Sequence, residues 1–260
     1  MRFIIAICIL ISFQSQAQSV VVKKITRINK FTKEKFIFPV IIVPKSVDKT
    51  NKINNTLRKE ILDVNILTPV EKIFDKVWQT KKNESLGTLN IDFEILFNTQ
   101  WLLAIKFNEE LCGAYCESHN SYYNFNLKTG NKITLFSLFN QAGQKKLLQY
   151  LDSSKISILK NKLLEIQDTL KVITNTNRKD DIDYYKEMIE LYQVCLDNYH
   201  PIDDMTYLKF YLADSVITIY SDRCSAHYNR SLDEINEFEY KIDLKNWLLY
   251  LTPLGKTIVN

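Results

Sequence analysis

Glycine, proline and histidine are scarce in this chain of 260 residues, which has five glycines, five prolines and three histidines. Long disordered linkers are rich in glycine and proline, so this composition argues against them. The familiar catalytic patterns are also missing: there is no Gly-x-Ser-x-Gly elbow, HExxH motif, P-loop or dinucleotide-binding fingerprint. We therefore expect a folded protein with no catalytic residues, no cofactor and no bound metal.

The chain also lacks a large excess of one charge. It has 34 basic and 30 acidic residues, which gives a formal net charge of +4. Nucleic acids and anionic lipids are bound by strongly basic surfaces, so we expect neither as the main partner. No later segment approaches the roughly 20 apolar residues that cross a bilayer as a helix. We expect no transmembrane segment once the N-terminal residues have been removed.

Residues 1–17 have the layout of a secretory signal peptide. Arg2 supplies the positive charge, and a mostly apolar run extends from Phe3 to Phe13. Ser15 and Ala17 then place small residues where a signal peptidase reads them. The apolar run is well below the length of about 20 residues that spans a membrane, although an uncleaved anchor is the alternative. We expect an exported protein, either periplasmic or secreted.

Four cysteines follow this segment: Cys112, Cys116, Cys195 and Cys224. An even number of cysteines in an exported chain predicts two disulfides. Of the three possible connectivities we favour Cys112–Cys116, which needs only a tight turn. The second bond would then be Cys195–Cys224, joining a helix to the end of a strand.

A zinc site is the competing use of the same residues. His119 follows Cys112 and Cys116 closely, and His227 follows Cys224 in the same way. Thiolates and imidazoles at short spacings are typical zinc ligands. In an oxidising compartment, however, thiolates tend to form disulfides before they meet zinc, so we favour the disulfides.

Alternating apolar residues predict several β-hairpins. The clearest pattern runs from Leu89 to Phe97 and resumes from Trp101 to Phe107, which indicates two antiparallel strands. Similar patterns predict the further strands 20–28, 35–43, 122–127, 132–135, 208–212, 216–220 and 238–242. Apolar residues at helical spacing predict helices over 48–62, over 144–170 and around 184–195.

These elements indicate an α+β fold in which antiparallel sheet hairpins pack with several helices. We divide the chain after the signal segment into an N-terminal α+β half, residues 18–110, and a C-terminal half, residues 111–260. We expect the two halves to interlock as one unit.

Three segments resemble parts of a known family of extracytoplasmic domains. They correspond to a helix start, a central signature and a final hairpin. The matching residues are Ile53-Asn54-Asn55-Thr56-Leu57; Gly113-Ala114-Tyr115 with residues 124–130, 133–135 and 138–139; and residues 210–214 with 219–220. Together they are similar to the RsiV/PdaC-type domain, over most of the chain after the signal segment.

Members of that family occur as the outer domain of an envelope-stress anti-sigma factor and beside a peptidoglycan deacetylase domain. The resemblance therefore implies an α+β binding or sensing module of the bacterial cell envelope. Where the family often has histidine after Gly-Ala, this chain has Tyr115, and its flanking cysteines are not part of the general pattern. A ligand role tied to that histidine is not carried over.

We expect a non-catalytic module that binds an envelope glycan or a partner protein. Tyr115, Tyr122 and Tyr123 are predicted to be exposed contacts, since aromatic faces suit sugars and protein interfaces alike. His119 lies beside them in the sequence and is the fourth candidate. The alternative function is a metal-dependent envelope hydrolase that uses a Cys/His zinc site.

Overall fold

The computed structural model describes residues 20–78, 87–113, 116–174, 179–226 and 229–259, so the expected signal peptide lies outside the described residues. The fold is α+β, as the sequence predicts. Its strands are β1 (Val21–Ile28), β2 (Lys35–Ile42), β3 (Gly87–Asn98), β4 (Leu102–Cys112), β5 (Cys116–Asn126), β6 (Asn131–Ile133), β7 (Lys209–Ala213), β8 (Val216–Asp222) and β9 (Glu237–Asp243). Its helices are α1 (Val47–Leu62), α2 (Leu135–Leu138), α3 (Gln141–Ile173), α4 (Lys179–Asp197) and α5 (Pro253–Val259), with 3-10 segments at Val70–Lys72 and Leu244–Tyr250.

The strands form two sheets. One has six strands in the order β1-β2-β3-β4-β5-β6, and the other has three in the order β7-β8-β9. Neighbouring strands are antiparallel except β2 and β3, which meet in parallel at Phe36 and Ile91. The hairpins expected from alternating apolar residues are therefore present in the structure.

The boundary that we drew between residues 110 and 111 falls inside β4. This strand pairs with β3 on one side and with β5 on the other, so the six-stranded sheet continues across the boundary. The buried apolar residues divide elsewhere: one core draws on positions 20–127, and the other on Leu102 and positions 133–258. Long-range pairing, which local composition does not reveal, decides where the chain divides.

Helix α1 covers the first core because its apolar residues recur every fourth position. Ile53 and Leu57 are fully buried. The Ser46 side chain caps the helix by accepting a hydrogen bond from the Lys49 backbone N–H. Such a cap satisfies one of the amide groups that the first helical turn leaves unpaired.

An asparagine on the same helix fastens α1 to the sheet. The Oδ1 atom of Asn54 accepts a bond from the Ile41 N–H at 2.9 Å, and its Nδ2 donates to the Ile41 carbonyl at 2.6 Å. Asn54 is buried, so both backbone groups of Ile41 would otherwise lack partners on this side. The amide acts as a short substitute for a neighbouring strand.

The second core lies between the long helices and the three-stranded sheet. Helix α3 buries a stripe of leucines and one isoleucine, and α4 contributes Met188, Leu191 and Tyr192. Opposite them are Leu212, Ile217 and Ile219 from the sheet. Within the described ranges, no helix is both long and apolar enough to cross a membrane.

Candidate functional site

The two disulfides have the connectivity that the sequence favours. Cys112 ends β4 and Cys116 begins β5; the two residues face each other across the ladder and are bonded. Cys195 on α4 is bonded to Cys224, which follows β8. All four sulfurs are therefore oxidised, and none is a thiolate that could bind zinc.

The competing zinc site would need cysteines that are bonded in pairs here. His227 lies outside the described residues, and His119 belongs to β5. In the portion of the chain that the structure describes, no group of three or more His, Cys, Asp or Glu side chains is arranged to hold a metal ion.

A buried asparagine joins the two sheets. Asn124 on β5 donates from Nδ2 to the Phe210 carbonyl at 2.9 Å, and its Oδ1 accepts from the Leu212 N–H at 2.8 Å. Both backbone groups belong to β7. Because Asn124 is only 1% exposed, its amide satisfies polar groups that water does not reach. This contact sets β5 against β7 and so positions the surface between them.

A stack of tyrosines continues the same junction. The ring of Tyr122 lies 5.0 Å from that of Tyr220 and 5.9 Å from that of Tyr211, with nearly parallel planes. Burial is the main cause that raises the pKa of Tyr122 to about 12. Tyr122 therefore contacts two strands of the second sheet, β7 and β8, and is half-buried there.

The adjacent tyrosine is buried on the opposite side of β5. Tyr123 is 6% exposed and packs edge-on against Phe107, while the Lys132 ammonium lies 4.7 Å from its ring centre. Successive side chains of a strand point to opposite faces, so Tyr123 and Tyr122 lie on different sides of β5. The expectation of an exposed contact is therefore wrong for Tyr123, whereas Tyr122 is half-buried in the tyrosine stack. Tyr115 lies outside the described residues.

His119, in contrast, lines an open polar cleft of about 750 Å³. The start of β5 forms one wall, and β7, the end of β8 and the start of β9 form the others. We call this site the polar cleft. Its lining residues are Glu117, Ser118, His119, Asn120, Tyr207, Lys209, Asp222, Arg223, Ser225, Arg230, Asn236 and Glu237.

The charges in the polar cleft are paired across its walls. The Lys209 ammonium lies 3.0 Å from a Glu237 oxygen and 3.4 Å from an Asp222 oxygen. A Glu117 oxygen lies 3.3 Å from Arg223 Nη2 and 3.8 Å from Arg230 Nη1. These contacts connect the hairpin tip of the first sheet to the segment that follows the second.

The polar cleft consequently has no net charge. Its three basic and three acidic side chains cancel, 3 − 3 = 0. Burial, followed by the nearby Lys209 charge, lowers the pKa of His119 below 6.5, so its imidazole is neutral near pH 7. The cleft thus offers many hydrogen-bond donors and acceptors without attracting either sign of charge over the other.

Tyr207 forms the exposed aromatic rim of the cleft. It precedes β7 and is 84% exposed, which leaves its ring free to meet a ligand.

Sequence reasoning missed Tyr207, Lys209 and Arg223, because the cleft assembles segments about a hundred positions apart. No local pattern connects Glu117 with Arg223.

One buried carboxylate holds the wall of the cleft that follows β8. Asp233 Oδ1 accepts from the Tyr192 hydroxyl at 2.8 Å and from the Ile235 N–H at 2.9 Å, and its other oxygen accepts from the Ser225 hydroxyl. Together with the Cys195–Cys224 bond, these contacts attach the segment after β8 to α4.

Among comparisons with known proteins, only the comparison with solved structures gives matches, and these support the fold. No protein-family model matches the chain, and no curated protein matches it. A member of the DUF3298 family from Bacteroides fragilis superposes with a TM-score of 0.54 at 13% identity, covering 94% of this chain and 98% of that chain. A DUF3298 family protein from Pseudomonas aeruginosa superposes with a TM-score of 0.50 at 9% identity, covering 92% and 97%. The chain therefore shares the fold of structures from a family of domains of unknown function.

Proposed function

We propose that this protein is an exported, non-catalytic module of the bacterial cell envelope, of the RsiV/PdaC type, that binds a neutral glycan in the polar cleft. The sequence features of its N-terminus and the two disulfides support export. The fold shared with DUF3298 structures supports the assignment to a domain of unknown function of this kind. The observation that carries the ligand class is the cancellation of charge in a cleft rich in hydrogen-bonding groups.

A neutral polyhydroxylated ligand suits this cleft better than a charged one. An anionic ligand would approach Glu117, Asp222 and Glu237, and a cationic ligand would approach the basic side chains paired with them. Like charges brought together across a binding interface are unfavourable, so either charged ligand would be disfavoured. Sugar hydroxyls can donate to the carboxylates and accept from the guanidinium groups without that cost.

The cleft is also a better fit for a sugar than for the core of a protein interface. Interface cores are depleted in charged residues and enriched in apolar and aromatic ones, whereas this cleft is mainly charged and polar. Tyr207 at its rim supplies the aromatic face on which the apolar side of a sugar ring can pack.

The walls of the cleft are held before any ligand arrives. Asn124 fixes β5 to β7, and Asp233 fixes the segment after β8. The two disulfides include Cys116 and Cys224, which are adjacent in sequence to the lining residues Glu117 and Arg223. A site that is already ordered loses less conformational entropy on binding. This arrangement favours binding over a role as a solvated surface.

Calorimetric titration of the purified protein with chitotetraose, a neutral envelope-type oligosaccharide, tests the proposal. We expect saturable binding, and we expect Tyr207→Ala to weaken it about fivefold, since an aromatic contact contributes roughly 1 kcal/mol. The matched control is Tyr184→Ala, which removes another partly exposed tyrosine outside the cleft. Failure of neutral oligosaccharides to bind, or equal effects of the two substitutions, would contradict the proposal.

A further inference from the structure

The excess of positive over negative charge is concentrated on the hairpin formed by β1 and β2. Residues 20–35 contain six basic side chains and one acidic side chain, a formal charge of 6 − 1 = +5, whereas the whole chain has +4. All other residues together therefore carry −1. The basic residues are Lys23, Lys24, Arg27, Lys30, Lys33 and Lys35.

These basic side chains are not neutralised by acidic neighbours in the part of the chain that the structure describes. None of the six takes part in an ion pair recorded within the described parts of the chain. The Lys24 ammonium lies 5.4 Å from the centre of the Phe93 ring, and the Lys33 ammonium donates to the Lys30 carbonyl. Their positive charge remains available to an acidic partner.

The same hairpin supplies a regular sheet edge. Strand β1 is the outermost strand of the six-stranded sheet and pairs with β2 in unbroken antiparallel register from Val21–Ile42 to Ile28–Lys35. No bulge interrupts this register, and β1 contains no proline. Val21 and Ile28 are exposed at its ends. Among the described residues, no strand pairs with the other edge of β1.

We propose that the free edge of β1 binds an acidic polypeptide segment in extended conformation, which adds to the sheet as a further strand. Strand addition uses the unpaired backbone groups for affinity and alternate side chains for specificity. Carboxylates on the added strand would lie beside the lysines and the arginine of β1, and opposite charges directly across a ladder are favourable.

The distribution of charge selects this occupant. Alternation along the strand places Lys23 and Arg27 on one face of the sheet and Lys24 on the other. A segment lying along the edge meets basic groups on both sides, whereas a flat anionic membrane would meet mainly one. A second copy of β1 would bring like charges together and is disfavoured. Lysines on an edge also discourage pairing with neutral strands, so the same residues confer selectivity.

The experiment uses the purified protein and a fluorescein-labelled peptide of alternating glutamate and valine, followed by fluorescence anisotropy. Hydrogen exchange of the β1 amides is measured in parallel. We expect binding that weakens with salt, together with new protection of those β1 amides that do not bond to β2. The triple variant Lys23→Glu, Lys24→Glu, Arg27→Glu is expected to bind about tenfold or more weakly, since the complementary charges have become repulsive.

A matched control variant, Lys145→Glu, Lys160→Glu, Lys256→Glu, changes the net charge equally at exposed sites on α3 and α5. It should retain binding, and a peptide of the same composition with interspersed prolines should not bind. Binding to phosphatidylglycerol vesicles without binding to the acidic peptide would overturn the proposal in favour of a membrane surface. Binding to neither would show that the lysines only protect the edge. Peptide binding without protection of β1 would also overturn it.

Discussion

Asn124 offers the most direct test of how the two sheets are joined. Its side chain is almost fully buried and bonds to the Phe210 carbonyl and the Leu212 N–H of β7. Replacement by alanine removes both bonds and leaves two backbone groups without partners at the junction. The same two strands, β5 and β7, contribute His119 and Lys209 to the polar cleft.

The expected loss of stability follows from the Phe210 carbonyl and the Leu212 N–H, which would lose their partner. A buried backbone donor or acceptor left unsatisfied costs about 1–3 kcal/mol, so Asn124→Ala should lower the free energy of unfolding by about 2–6 kcal/mol. For a chain of this size, a loss of about 3 kcal/mol lowers Tm by roughly 10 °C. The isosteric change Asn124→Asp keeps an acceptor for Leu212 but cannot donate to Phe210 while it is ionised.

Urea unfolding followed by tryptophan fluorescence measures the loss, and thermal unfolding gives the shift in Tm. Asn120→Ala is the control, because Asn120 lies on the same strand and makes no side-chain hydrogen bond that the structure records among the described residues. That substitution should change stability by only about 0.5 kcal/mol. If Asn124→Ala costs no more than this control, the amide does not hold the sheets together. For Asn124→Asp, we expect stability to recover as the pH falls, since the protonated acid can again donate.

Two further predictions concern the disulfides and the histidine of the cleft. On the chain-entropy relation, the Cys195–Cys224 bond, with a sequence separation of 29, contributes about 3–4 kcal/mol, whereas Cys112–Cys116, with a separation of 4, contributes about 2 kcal/mol. Urea unfolding of the Cys→Ser pairs should therefore show the larger loss for the first bond; equal losses would contradict this account. Burial lowers the pKa of His119 below 6.5, so the unfolded chain binds its proton more readily and stability falls as the pH drops through 6.5. His119→Gln should reduce that fall between pH 7.5 and 5.5; an unchanged pH profile would refute it.

The hairpins and α1 were predictable because their signals are local. The alternation around Ile91 and Phe93, and the four-residue spacing of Ile53 and Leu57, report the exposed and buried sides of one element. The start of β5 was not predictable in this way. The strand begins at Cys116, six positions before the predicted start at Tyr122, because its first residues are polar on both faces and show no apolar alternation.

The overall net charge likewise conceals a local feature. A total of +4 predicts no basic surface, yet the β1–β2 hairpin alone carries +5 because the remaining residues nearly cancel. The total is a sum over the whole surface, whereas a partner meets only one part of it. The cluster of basic residues at 23–35 can be seen in the sequence. That these residues lie on an edge strand became known only from the order of the strands in the sheet.

The candidate binding residues also could not be placed from the sequence alone. Of the four binding residues suggested by the sequence, the structure places His119 in the polar cleft, buries Tyr123 and stacks Tyr122 at the junction between the sheets. An aromatic residue on a strand can serve either a core or a surface. Which role it takes depends on what packs on each face.

The sequence by itself determined the α+β class, the main hairpins and the helix that covers the first core, and it favoured, without fixing, the pairing of the cysteines that the structure shows. These properties depend on periodicity and spacing within short segments. Only the tertiary structure decided that Asn124 joins two sheets and that Glu117 meets Arg223 in one cleft, since partners about 90–100 positions apart leave no mark on local pattern. It also decided which side of the sheet stays open, because an edge exists only once every other strand has found its neighbour.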